Sequence, residues 1–189
     1  MKHDIHQTPT KSALKVLNAF LIAFFTLLTR KSFETITVNE ICENAGYPRA
    51  TFYNYFDDKY DLLNYLFYRV KHDMNVEELK ATPVYELLDI LFDRLYNLFE
   101  KYESEIKFIS NYNTIDGLFF SSAQAYLNNS AKEILGSYLA LKKRPVSDDL
   151  MINHFSNTLM LIFQYRFIKH KISSKEETKK QLYYLLNNL

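Results

Sequence analysis

The sequence predicts an all-α protein of about nine helices arranged in two parts, and three observations point there. Only three glycines and four prolines occur among 189 residues, whereas sheet-rich chains need many tight turns built on those residue types. Apolar residues recur at steps of three and four over most of the length, the spacing of one helical face. The balance of 48% apolar and 24% charged residues is that of a packed globular chain. The first part is expected over residues 10–70 and the second over 71–189, with a polar break at 71–83.

Composition also narrows the function classes. The net charge is only +1. Residues 1–72 carry nine Lys/Arg against seven Asp/Glu, and residues 73–189 carry fourteen against fifteen. The N-terminal part is thus slightly basic, an asymmetry too small to identify a nucleic-acid binder by itself. The single cysteine, Cys42, cannot form an internal disulfide and suits a reducing cytoplasm. The apolar run Leu17–Leu28 could be mistaken for a signal-peptide core, since Lys2, Lys11 and Lys15 precede it. No small-residue cleavage site follows, and the run falls short of the roughly 20 residues that span a bilayer. A buried helix is the expectation, with no membrane partner.

Residues 1–9 are polar and are expected to form a loose arm. From Thr10 the stripe Leu14, Leu17, Leu21, Phe24 and Leu28, widened by Ala13, Phe20 and Leu27, predicts a helix ending near Arg30-Lys31, where cations suit the helix dipole. Thr37 followed by Glu40 is a capping box, in which each side chain satisfies a backbone N–H of the other residue. It opens a short helix whose apolar face is Val38, Ile41, Cys42 and Ala45. Gly46, the only glycine in the first 116 residues, can take the left-handed conformation that reverses the chain. Pro48 suits the first turn of a third helix, over about 48–55, with Phe52 and Phe56 as inward anchors. Asp58 and Asp61 then cap a fourth helix bearing Leu62, Leu63, Leu66, Phe67 and Val70. Further helices are expected over 84–102, about 104–112, 116–141 with Gly136 as a weak point, from Ser147 or Asp148 to about 169, and 175–188. Residues 142–145 read as a loop.

Helix, glycine turn and helix over 37–56 make a helix-turn-helix, and its outer face is the functional candidate. Arg49, Ala50, Thr51, Tyr53 and Asn54 lie off the Phe52/Phe56 anchors and are types that reach base edges or phosphates. Tyr53 and Tyr55 are two phenols on an exposed helix. Lys59 opens the fourth helix, where the dipole disfavours a cation, and a bound phosphate would remove that conflict.

Residues 10–70 resemble the DNA-binding domain of the TetR family of repressors. The carriers are Thr37-Val38-Asn39-Glu40-Ile41-Cys42-Glu43-Asn44-Ala45-Gly46, Thr51-Phe52-Tyr53-Asn54-Tyr55-Phe56-Asp57-Asp58-Lys59 and Asp61-Leu62-Leu63. By position, the resemblance implies phosphate contacts from Thr37, base contacts in the major groove from Arg49, Ala50 and Thr51, backbone contacts from Tyr53 and Tyr55, and a phosphate clamp at Lys59. Cys42, Ala45, Phe52 and Phe56 would be core. The family usually has Ser or Asn where this chain has Pro48, which bears on the register of Arg49. The resemblance further implies a homodimer through the last two helices, here those with Met151, Phe155, Leu159, Ile162, Phe163 and Phe167, and with Leu182, Leu185, Leu186 and Leu189. Double-stranded operator DNA and a small-molecule effector would be the other partners. Two short recognition helices reach successive major grooves only as a dimer.

Other readings stand beside these. Thr37 also has a plain capping role. Phe92, Tyr96, Phe99, Phe108, Tyr112, Phe119, Tyr126 and Phe155, with Tyr85 and Phe120, could line an effector pocket or simply fill a core, and buried phenols need polar partners in either case. His3, His6, His72, His154 and His170 have no ligand spacing, so no metal or other cofactor is expected. No catalytic constellation is evident. The alternative to a DNA-binding regulator is an all-helical dimeric co-regulator that acts through a protein partner.

Overall fold

The computed structural model describes residues 9–139, 145–169 and 171–187. Residues 1–8 of the expected arm at 1–9, residues 142–144 of the expected loop, His3, His6, His170, Leu189 and the side chain of Tyr85 lie outside the described residues. Nine α-helices and no strand occur among the described residues: α1 (Lys11–Leu28), α2 (Val38–Ala45), α3 (Arg49–Tyr55), α4 (Lys59–Asp73), α5 (Val84–Lys101), α6 (Glu103–Tyr112), α7 (Leu118–Leu139), α8 (Asp148–Phe163) and α9 (Lys175–Asn187). Short 3-10 turns stand at Phe33–Thr35 and Val76–Ala81, and α8 runs on into a π-helical turn, Gln164–Ile168.

α1 starts where its sequence signal lies, with the Thr10 hydroxyl accepting from the Ala13 N–H at 3.2 Å. It ends at Leu28, two residues before Arg30. The helix is long and apolar enough to cross a membrane by length and composition. Its inward face, however, forms the centre of a core: Leu17, Phe20, Phe24 and Leu28 are fully buried with Ile41, Phe52, Phe56 and Leu62. Edge-on aromatic contacts fix the packing, with Phe20 5.3 Å from Phe52 and 6.3 Å from Phe56. Tyr65, not expected inside, is also buried there.

The expected polar break is more structured than its composition suggests. α4 continues to Asp73, Asn75 reverses the chain at φ 50°, and Val76 and Leu79 of the following 3-10 turn are buried. Arg94 of α5 ties this reversal down by donating to the carbonyls of Met74 and Asn75 at 2.8 and 2.7 Å. α7 passes through Gly136 without a break. Ser147, as expected, caps α8 by accepting from the Leu150 N–H.

A second core joins α5, α8 and α9 around Phe92, Tyr96, Phe163, Phe167 and Leu182. A charged seam seals its edge, where Asp89 and Asp93 of α5 pair with Lys179 and Lys175 of α9 and Tyr183 donates to Asp89 at 2.7 Å. The two cores meet along α6 and α7, since Ile109, Phe119 and Phe120 pack into the N-terminal one.

Candidate nucleic-acid interface

The helix-turn-helix is assembled by local chemistry. The Thr37 hydroxyl accepts from the Glu40 N–H at 3.3 Å and donates to Oε2 of Glu40 at 2.9 Å, and Oε2 also accepts from the Thr37 N–H. Gly46 sits at φ 71°, and the Tyr47 N–H donates to the Cys42 carbonyl, closing the reversal. Pro48 occupies the cap position one residue before α3 rather than its first turn, with φ −67° and ψ 155°. A proline there offers no side-chain acceptor, so α3 starts without a capping hydrogen bond.

Phe52 and Phe56 are fully buried, and this orients the rest of α3. Arg49, Ala50 and Asn54 are exposed; Thr51, Tyr53 and Tyr55 are half-buried at the rim. Arg49 is not a loose cation, because its guanidinium donates to the Tyr53 hydroxyl at 3.2 Å and lies 5.7 Å from that ring's centre. Cys42 is buried and its thiol is pushed up by desolvation, as for a small core residue. No three His, Cys, Asp or Glu come together as a metal set among the described residues.

Lys31, in the segment after α1, reaches the capping box, its ammonium 2.6 Å from Oε1 of Glu40. That pairing, with the two Thr37 bonds, holds the Glu40 carboxyl at about 2, down from 4.5. A carboxyl depressed in the folded state stabilises fully above its ordinary value, and loses that contribution as pH falls through the folded one. An acid titration of stability should therefore show a smaller loss between pH 4.5 and pH 2 for Glu40→Gln than for the parent chain. Thr37→Ala at neutral pH should cost about 1 kcal/mol, the usual worth of a cap, measurable by denaturant unfolding.

Lys59 is arranged differently from the sequence expectation. Its ammonium donates to three backbone carbonyls, those of Phe33, Glu34 and Ile36, at 2.9, 2.8 and 2.9 Å. It also stands 4.9 Å from the Phe33 ring centre. An ammonium has three protons, and all three are used. Burial lowers the Lys59 pKa, while Glu34 acts in the opposite sense. The dipole conflict read from sequence is thus met inside the protein, by the electronegative end of the 3-10 turn, and Asp58 supplies the helix cap by accepting from the N–H groups of Tyr60 and Asp61. A phosphate contact from Lys59 requires one carbonyl bond to give way.

The aromatic residues singled out as pocket candidates do not surround one space. Phe92 and Tyr96, with Phe99 at the margin, meet Phe163 and Phe167 in tilted and edge-on contacts of the second core, and Phe155 packs against its edge. Phe119 and Tyr126 lie against Phe67 of α4. Phe108 and Tyr112 are 53% and 49% exposed, whereas Ile109 between them on α6 is the buried residue of that helix. Sequence reasoning missed Lys31, Glu34 and Asn113, which hold this region by contacts with no local pattern.

Residues 23–66 match the bacterial regulatory proteins of the tetR family. The chain carries a TetR-family DNA-binding domain. The matched span runs from the second half of α1 to Leu66 in α4, so it contains the helix-turn-helix, the Lys59 tie and the Phe52/Phe56 anchors. The TetR-type domain places the chain among DNA-binding transcriptional regulators. No curated protein matches the chain.

Proposed function

We propose that the chain is a homodimeric, ligand-responsive repressor that binds a palindromic operator through α3 and works in the cytoplasm, with residues 10–70 reading DNA and 71–189 carrying dimerisation and effector response. The observation that carries the DNA reading is the outward set Arg49, Ala50 and Asn54 on a helix pinned from beneath by Phe52 and Phe56. Thr51 would join the base contacts, and Tyr53 and Tyr55 would touch phosphate. Thr37 would do so only by giving up its bond to Glu40. For the dimer, the support is an apolar face on α8, the π-helical turn after it and α9, where exposed Leu161, Tyr165 and Tyr184 line a groove with Ile162 and Leu185. An effector would act by preferring one spacing of the two recognition helices.

This arrangement alters the expected salt response. Lys31 and Lys59 are engaged with the protein, and α3 carries one cation, Arg49. Affinity falls with salt at a slope of about −0.9 per neutralised phosphate, so a shallow dependence is expected. Selection from random duplex DNA, with sedimentation of the purified chain, tests the proposal directly. Enrichment of a palindrome by a dimer is the expected result; a monomer refutes it, and a dimer that enriches no sequence refutes it and favours the protein-partner alternative. Arg49→Ala should reduce discrimination against a single mismatched base pair by about 1–3 kcal/mol, read by competition binding.

A further inference from the structure

The 3-10 turn Phe33–Thr35 is held by residues remote in sequence on both sides. Its first N–H, that of Phe33, donates to Oδ1 of Asn113 at 2.8 Å. Asn113 follows α6, is 3% exposed, and is itself pinned by donating Nδ2 to the Ile109 carbonyl at 3.0 Å. In return, Oε1 of Glu34 accepts from the N–H of Leu118, the first residue of α7, at 3.1 Å. Each half therefore caps an open helical end of the other: Asn113 the 3-10 turn, and the Glu34 carboxylate the positive end of α7. Gly117 makes room at this corner, since a Cβ there would lie 3.0 Å from the Thr114 carbonyl and 3.5 Å from Oε1 of Glu34. On its other side the same turn presents its carbonyls to Lys59, at the junction between α3 and α4.

We infer that this turn is the coupling element between the α6–α7 corner and the DNA-reading helices, with Asn113 and Glu34 on one side and Lys59 on the other as its positioning residues. A displaced corner withdraws the caps from Phe33 and Leu118 together. The turn then releases Lys59, and with it the start of α4 that follows the recognition helix. A ligand that favours the displaced corner shifts the helix-turn-helix by that difference in affinity. Its regulatory use rests on the function proposed above; the coupling itself does not.

Amide hydrogen exchange on the full chain reads the coupling without effector or DNA. Asn113→Ala should speed exchange over residues 33–36 and 38–55 about tenfold, the scale of one lost buried hydrogen bond, while α9 keeps its protection. Coupling is reciprocal, so Lys59→Met should speed exchange at the Asn113 and Leu118 amides. Glu34→Ala should act as Asn113→Ala does, and Glu34→Gln, which keeps an acceptor oxygen, should restore the parent pattern. Unchanged exchange over 33–55 in Asn113→Ala, or an even rise over the whole chain, overturns the inference. Should Asn113→Ala not fold, the Glu34 pair decides alone, equal exchange in both variants being the refuting result. Coupled exchange in a chain that enriches no DNA refutes the proposed function and leaves the coupling standing.

Discussion

Phe52→Ala is expected to destabilise the DNA-binding domain by about 3–5 kcal/mol, the range for emptying a large aromatic from a core. The ring is fully buried and meets Phe20 edge-on at 5.3 Å, Phe56 at 5.3 Å and Tyr53 at 5.5 Å. It is also the one side chain that anchors α3 inward from within that seven-residue helix. A helix this short has little stability of its own, so loss of the anchor frees the face that carries Arg49 and Asn54. Total stabilities are about 5–15 kcal/mol, so the variant should lose its cooperative unfolding transition or move it far to lower denaturant, and lose DNA binding with it. Phe52→Leu, which keeps most of the volume, should cost well under half as much. A loss below about 1 kcal/mol for Phe52→Ala would show that another residue anchors the recognition helix.

What could be read from the sequence was what is decided within a few residues. Thr37 and Glu40 are three apart, and their capping box stands as the spacing predicts. Gly46 is left-handed at φ 71°, a conformation a residue without a Cβ takes at no steric cost. Phe52 and Phe56 share one face by the helical repeat and are both buried. Pro48 was off by one position, because its ring fixes φ but not whether ψ is helical or extended.

The illegible contacts are those that join distant stretches. Phe33 meets Asn113 and Glu34 meets Leu118 across 80 and 84 residues, through single side chains with no periodicity around them. The placement of the pocket candidates is illegible for a related reason. Phe108 and Tyr112 satisfy an aromatic count, yet helical position alone does not say which face of α6 meets a neighbour, and Ile109 takes the inward place. Lys59 is the instructive case. The helix dipole disfavours a cation at its position, and the groups that offset this lie in a turn more than twenty residues earlier in the chain.

Lys59→Met, measured without DNA, separates the two roles open to that residue. Removing a solvent-facing cation changes stability by no more than about 0.5 kcal/mol, and a residue serving only as a phosphate clamp would behave so. Removing the donor to three carbonyls leaves the Ile36 carbonyl, at a buried residue, short of this partner, while the Phe33 carbonyl keeps the Ile36 N–H, and costs about 1–3 kcal/mol. The larger figure is expected. Lys59→Arg should not restore it, since a planar fork cannot converge on three carbonyls as a compact ammonium does. DNA binding supplies the second reading. Loss of a true phosphate contact lowers the salt slope by about one per site, whereas loss of the tie weakens binding through a poorly held helix-turn-helix and leaves that slope unchanged. An unaltered stability together with a reduced slope would return Lys59 to the DNA backbone and remove it from the path between the α6–α7 corner and the recognition helix.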